Sequence, residues 1–217
     1  DQGHPDIPME NEGGGELHLH APSPFCNHEH FEFIDADPGA GTAWQTFHDS
    51  NYWPGLGAED GTFTPDGLED LILTTPLYYW DGVSVGGFAP IADGTVLQVK
   101  GSSFGTPYQA TGAGGVTATD LIDVDAGGGV HQHPIWELIG NGDDPADGAY
   151  LVGLQVDAAG SGYELSNEVF VLFHKGLDDP AYDLAKDQAI TQGLPEPGSV
   201  ALIGLGALAL GRRRRRA

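Results

Sequence analysis

Arginine is absent before position 212, and lysine occurs only at 100, 175 and 186. Against these three cations, residues 1–194 carry 31 acidic side chains, which leaves 28 uncompensated negative charges. Such a surface repels phosphate backbones and anionic lipid, so nucleic acid is not a partner of this part of the chain. Divalent cations or basic polymers are the counterparts its charge allows, although a solvated, salt-adapted surface needs neither. Cysteine occurs once, at Cys26, which excludes an intramolecular disulfide and leaves stability to an apolar core. No run of 18 apolar residues occurs before the C-terminal tail, so residues 1–194 read as a soluble body. There is no Gly-x-Ser-x-Gly nucleophile elbow, and no glycine loop leads into a helix with the lysine that phosphate binding requires. The glycine-rich segments 112–115 and 127–129 are read as turns. The chain opens at Asp1 with no charged and apolar export signal, and the expectation is a mature form lacking its signal peptide.

What is abundant points to β structure. The 34 glycines and 15 prolines, with seven tyrosines, nine phenylalanines and four tryptophans, favour many short strands joined by turns. Strands are expected at 71–73, 77–80, 95–100, 130–139, 149–156 and 168–174, each bounded by turn residues. Asn-Gly and Asp-Gly pairs within 140–148 predict a hairpin joining 130–139 to 149–156. Tyr150, Val152, Leu154 and Val156 alternate, but Leu151 breaks the polar face, which predicts burial on both sides. An antiparallel β-sandwich or jelly roll satisfies these features in one mainly β domain. One helix is expected from Asp179, as cap, to Gly193, with Leu184, Ala185 and Ile190 as its apolar face at the end of the sandwich. Three segments follow: a Gly/Pro/His-rich, partly disordered leader (1–30) with Gly13, Gly14 and Gly15 as a flexible joint, a body (31–194), and a tail (195–217). Within the leader, Leu17, His18, Leu19 and His20 alternate like a strand edge.

Six of the nine histidines form His-x-His pairs: His18 with His20, His28 with His30, and His131 with His133. In a strand, residues i and i+2 share a face, so each pair can offer two imidazoles to one Zn²⁺ or Cu²⁺ ion, or can be a surface couple. His131 and His133 stand at the start of an apolar strand and are the first candidates, with His28 and His30 next; Cys26 and Glu32 extend the latter pair along one face. His131 and His133 followed by Glu137 resemble the first metal motif of cupins, which implies a metalloprotein or metalloenzyme. The chain departs from that motif at Asp125, where a glycine is expected, and carries no second motif. Calcium is a further expectation from Asn141, Asp143, Asp144 and Asp147, and from the pairs Asp35/Asp37 and Asp123/Asp125, all of which also serve as turn formers. Tyr78, Tyr79 and Trp80 could stack on an extracellular polysaccharide or pack in the core.

The tail has three parts in strict order. Pro195, Glu196 and Pro197 deny backbone donors and hold an extended joint. Residues 200–210 are small and apolar; at about 1.5 Å per residue they make a helix little more than half of the about 30 Å hydrocarbon thickness. Arg212, Arg213, Arg214, Arg215 and Arg216 then favour the cytoplasmic side, leaving the body outside. This order at the extreme C-terminus resembles the PEP-CTERM sorting signal of Gram-negative bacteria. The resemblance implies an exosortase-type membrane protease as partner, a short transmembrane helix that is transiently or stably anchored, and delivery to the cell envelope or extracellular matrix. Residues 75–82, 131–133, 147–151 and 171–177 also resemble exported proteins common in planctomycetes that carry the same tail. The reading that follows is an exported, C-terminally sorted and non-catalytic structural or binding module, with a Zn/Cu-binding or cupin-like metalloprotein using His131 and His133 as the alternative.

Overall fold

A computed structural model describes residues 6–20, 31–35, 44–47, 55–101 and 107–192, with only the backbone described at 31–35 and 44–47. Residues 6–20, expected in a loose leader, belong to the body. Gly13, Gly14 and Gly15 adopt φ of +94°, +73° and +92°, the left-handed region that glycine enters without a Cβ clash, and so form a tight turn. The turn joins β1 (Asp6–Gly13) to β2 (Glu16–Leu19) as an antiparallel hairpin, with Met9 opposite Leu19 and Glu10 opposite His18. Alternation sends Ile7, Met9, Leu17 and Leu19 into the core, where all four are buried.

The remaining strands follow in chain order. They are β3 (Phe31–Asp35), β4 (Trp44–Phe47), β5 (Gly55–Ala58), β6 (Leu68–Leu73), β7 (Tyr78–Trp80), β8 (Ala89–Pro90), β9 (Val96–Lys100) and β10 (Tyr108–Ala110). Next come β11 (Val116–Asp123), β12 (Val130–Gln132), β13 (Ile135–Ile139), β14 (Gly148–Asp157) and β15 (Val169–Lys175), before helix α1 (Asp179–Gln192). The protein is mainly β, built from largely antiparallel sheets, with one α-helix among the described residues, near their C-terminal end. A four-stranded sheet runs β12-β5-β1-β2, and an 11-stranded sheet runs β10-β9-β13-β4-β3-β15-β14-β6-β11, with β7 and β8 added beside β14. Only β1 with β5 and β3 with β15 pair in parallel among the described strands.

The large sheet is curled. Eight strand spacings of about 4.8 Å would set β10 and β11 roughly 38 Å apart if it were flat, yet the Tyr108 hydroxyl donates to the Thr119 carbonyl at 2.8 Å. Trp136 on β13 and Phe173 on β15 consequently meet across the interior, ring centroids 5.5 Å apart. One apolar cluster joins these limbs to the small sheet through Leu56, Leu97, Leu138, Val152 and Val171. The close seams exclude side chains: a Cβ at Gly115 would lie 1.7 Å from the Leu73 carbonyl oxygen.

The double-sided burial predicted for β14 is present, and α1 is its cause. Tyr150, Val152 and Leu154 face the main core, while Ala149 and Leu151 join Leu172, Trp80 and Phe88 beneath Tyr182, Ala185 and Ala189 of the helix. The helix therefore covers the outer face of β14 and β15 and does not sit at the end of the sandwich. Its apolar stripe is 182, 185 and 189, whereas Leu184 and Ile190 lie about 100° to either side of it and are exposed. Asp178 caps α1 in place of Asp179, its Oδ1 accepting the Ala181 N–H at 3.0 Å.

Two further expectations are corrected. The segment 130–139 is two strands, since Pro134 offers no N–H to a ladder. The first part, β12, pairs with β5, and the second, β13, pairs with β9 and β4. No hairpin joins β13 to β14, because β14 pairs with β15, β6 and β7 instead.

Candidate functional site

Pro195, Glu196, Pro197 and the arginines 212–216 lie outside the described residues, as do Cys26, His28, His30 and Asp37. What the structure describes is the point from which the tail departs. Gln192, the last residue of α1, is fastened to the loop after β7: its Oε1 accepts the Phe88 N–H at 2.7 Å, and its Nε2 donates to the carbonyls of Gly86 and Phe88, each at 3.1 Å. The loop has its own brace. Asp81 Oδ1 accepts the N–H groups of Val83 and Ser84 at 3.0 and 2.7 Å, and Trp80 Nε1 donates to the Ser84 carbonyl at 2.8 Å. Hydrogen bonds from Ser84 hold the Asp81 carboxyl below its ordinary 3.8. Among the described residues no helix is long and apolar enough to cross a membrane.

His131 and His133 flank the strand end at β12. Their Nε2 atoms lie 3.2 Å apart, with the ring centroids at 5.2 Å and the rings inclined at 55°. Their outward aim follows from the residue between them. Gln132 is buried, its Nε2 donating to the Leu121 carbonyl at 2.8 Å and its Oε1 accepting the Asp123 N–H at 2.9 Å, so it clasps β11 and turns its neighbours the other way. Glu137, the third residue of the cupin-like pattern, does not join them. It stands on β13 in the other sheet, where Lys100 Nζ meets its Oε1 at 2.7 Å and Gln98 Nε2 donates to its Oε2. Gln109 donates onward to Gln98 at 3.0 Å, so Glu137 ends a polar chain beneath β9 and β10. Among the described residues no group of three or more His, Cys, Asp or Glu side chains is arranged to hold a metal ion.

The acidic turns are largely committed to structure. Asp147 pairs with Lys175 at 2.8 Å, and Asn141 directs its amide to the Asp93 carbonyl at 3.2 Å. Asp125 Oδ1 accepts the N–H groups of Gly127 and Gly129 at 2.8 and 2.9 Å, consistent with the turn reading of that segment. The aromatic trio belongs to the packing. Trp80 is buried against Phe88, Tyr78 joins the layer beneath α1, and the Tyr79 hydroxyl donates to the Asp147 carbonyl at 2.8 Å. Burial, then the carboxylates of Asp81, Asp147 and Asp93, raise the Tyr79 phenol above its ordinary 10.

An ionisable cluster lies on the outer face of the β1–β2 hairpin. His18 Nε2 lies 3.7 Å from carboxylate oxygens of both Glu12 and Glu16, and His20 Nε2 lies 3.5 and 3.6 Å from those of Glu10 and Glu12. The His-x-His spacing was legible, but the carboxylates opposite it required the hairpin register. Gln132 and Gln192 carried a weaker signal: only alternation between two outward histidines pointed Gln132 inward.

Compared with known families, residues 194–216 match the PEP-CTERM protein-sorting motif. No curated protein and no solved structure matches the chain. The motif implies recognition by exosortase, a membrane protein, together with export and anchoring through the C-terminus before processing.

Proposed function

We propose that this chain is an envelope or extracellular-matrix module whose body acts by binding or scaffolding and performs no catalysis. The observation that carries this reading is the sorting motif at 194–216, which begins two residues after the helix that closes the body. The commitment of Glu137, Asp125 and Asp147 to internal partners supports the non-catalytic part, since a general acid or base must be available to a substrate. The test is to express the precursor in its native host with an epitope between Asp143 and Asp144, both exposed, and to fractionate the cells with exosortase intact and inactivated. A shortened body in the envelope or medium that becomes full-length and membrane-bound without exosortase supports the proposal. Retention in the cytoplasm overturns it.

A second reading rests on the 3.2 Å between the Nε2 atoms of His131 and His133. Two ligands on one ion at about 2.0–2.1 Å stand about 3.3 Å apart when the angle is tetrahedral, so the pair is spaced for Zn²⁺ or Cu²⁺ as well as for an N–H···N hydrogen bond. Metal analysis of the purified, untagged chain decides between them. Uptake of about one ion per chain that vanishes in His131→Ala/His133→Ala supports chelation; absence of uptake on titration removes it.

A further inference from the structure

Residues 81–88 form a loop built to hold two valines in solvent. Asp81 pins the backbone at Val83 and Ser84, Trp80 pins the Ser84 carbonyl, and Gln192 brackets Gly86 and Phe88 from the opposite side. Within this frame Val83 is 83% and Val85 101% exposed, while the next most exposed large apolar side chain among the described residues, Ile190, is 54% exposed. Single apolar residues on a surface need no explanation. Two on one tip, alternating along a backbone fixed by hydrogen bonds, present apolar area that local packing does not use. Asp81 is the only ionisable residue of the loop, and its carboxylate is folded back onto the loop's own N–H groups.

The position of the tip identifies what covers it. Gln192 is in direct contact with the loop, and the sorting motif follows at 194. The segment 193–199 reaches at most about 25 Å even fully extended, so insertion of residues 200–210 holds this end of the body within that distance of the bilayer. A body with 28 uncompensated negative charges is repelled by anionic headgroups, and an uncharged apolar tip is the surface by which it can approach them. We infer that Val83 and Val85 enter the interfacial layer of the membrane beside the tail, so that the body stands on the bilayer by this end before processing. The inference rests on the reading of residues 194–216 as a membrane-inserted sorting signal.

The test uses the full chain carrying Cys26→Ser and one new cysteine, labelled with an environment-sensitive fluorophore, in phosphatidylethanolamine/phosphatidylglycerol vesicles with or without nitroxide lipid. The sites are Val83→Cys, Val85→Cys, Leu205→Cys in the tail, and Leu165→Cys. Leu165 is half-exposed and apolar too, but lies beyond the far end of β14, roughly 30 Å of strand from the Trp80 end. The expected result is loss of about half or more of the emission at 83, 85 and 205, and little change at 165. In Val83→Cys carrying Val85→Asp, quenching at 83 falls severalfold, which separates insertion driven by the valines from insertion driven by the label. Quenching at 205 with none at 83 and 85, or equal quenching with and without Val85→Asp, overturns the inference. No quenching at 205 overturns the inserted-tail reading, and this inference falls with it.

Discussion

Gln132 shows how one inward residue decides the fate of two outward ones. Its amide satisfies a carbonyl and an N–H of β11, and in doing so aims His131 and His133 away from the core. Gln132→Ala leaves both backbone groups without that partner at a cost of about 1–3 kcal/mol each, so we expect a loss of about 2–6 kcal/mol, read as a lower urea midpoint at unchanged slope. Glu69, on β6, titrates in the opposite sense from most carboxylates in a fold. Burial pushes it above its ordinary 4.5; the Ser161 hydroxyl opposes the rise, and Asp157 and Asp70 add to it. The folded protein thus holds this proton more tightly than the unfolded chain does, and stability falls as the pH climbs from about 4.5 through the raised folded value. Glu69→Gln keeps an oxygen for Ser161 and removes the charge. It should raise the melting temperature relative to the parent at pH 7 and leave it unchanged near pH 4.

At the level of elements, α1 separates pattern from packing. Its largest apolar residues, Leu184 and Ile190, look like a buried face in one dimension, yet the surface it rests on selects Tyr182, Ala185 and Ala189. The two alanines let the helix approach β14 closely. Tyr182 fills the space beside His174, with ring centroids 4.8 Å apart, and its hydroxyl donates to the Leu172 carbonyl at 3.1 Å. Tyr182→Ala should therefore cost about 3–5 kcal/mol, in the range of large aromatic truncations, whereas Leu184→Ser and Ile190→Ser should each stay within about 0.5 kcal/mol. Denaturation midpoints of the three variants check this, and a reversed order would place the buried stripe where the sequence pattern suggested. The split of 130–139 was legible in part, since Pro134 marks a break in any ladder, but which partner each half takes depends on strands distant in the chain.

For the whole molecule, charge is the dominant long-range term. Three lysines are spread among 31 acids, and all three are paired, with Glu137, Asp147 and Asp183, so most of the negative surface repels itself. Raising the ionic strength from about 0.01 M to about 0.15 M shortens the screening length from roughly 30 to 8 Å. We expect the melting temperature to rise by several degrees over that interval in calorimetry. A salt-independent melting temperature would mean that bound cations already neutralise the surface.

The sequence by itself determined the properties that are local or additive: net charge, the lack of disulfides, the mainly β composition, double-sided burial of β14, and the sorting motif, whose parts act in linear order and need no fold to be read. Tertiary structure decided the rest. Residues 6–20 joined the core because β1 found β5, whose first pair, Asp6 with Gly55, lies 49 positions apart in a sequence that carries no signal of that pairing. Glu137 parted from His131 and His133 because β12 and β13 entered different sheets. The loop that carries Val83 and Val85 came to stand beside the end of α1 because Gln192 closes on it from more than a hundred residues later in the chain. Such pairings are set by which surfaces meet when the large sheet curls, and the spacing of residues along the chain holds no record of that.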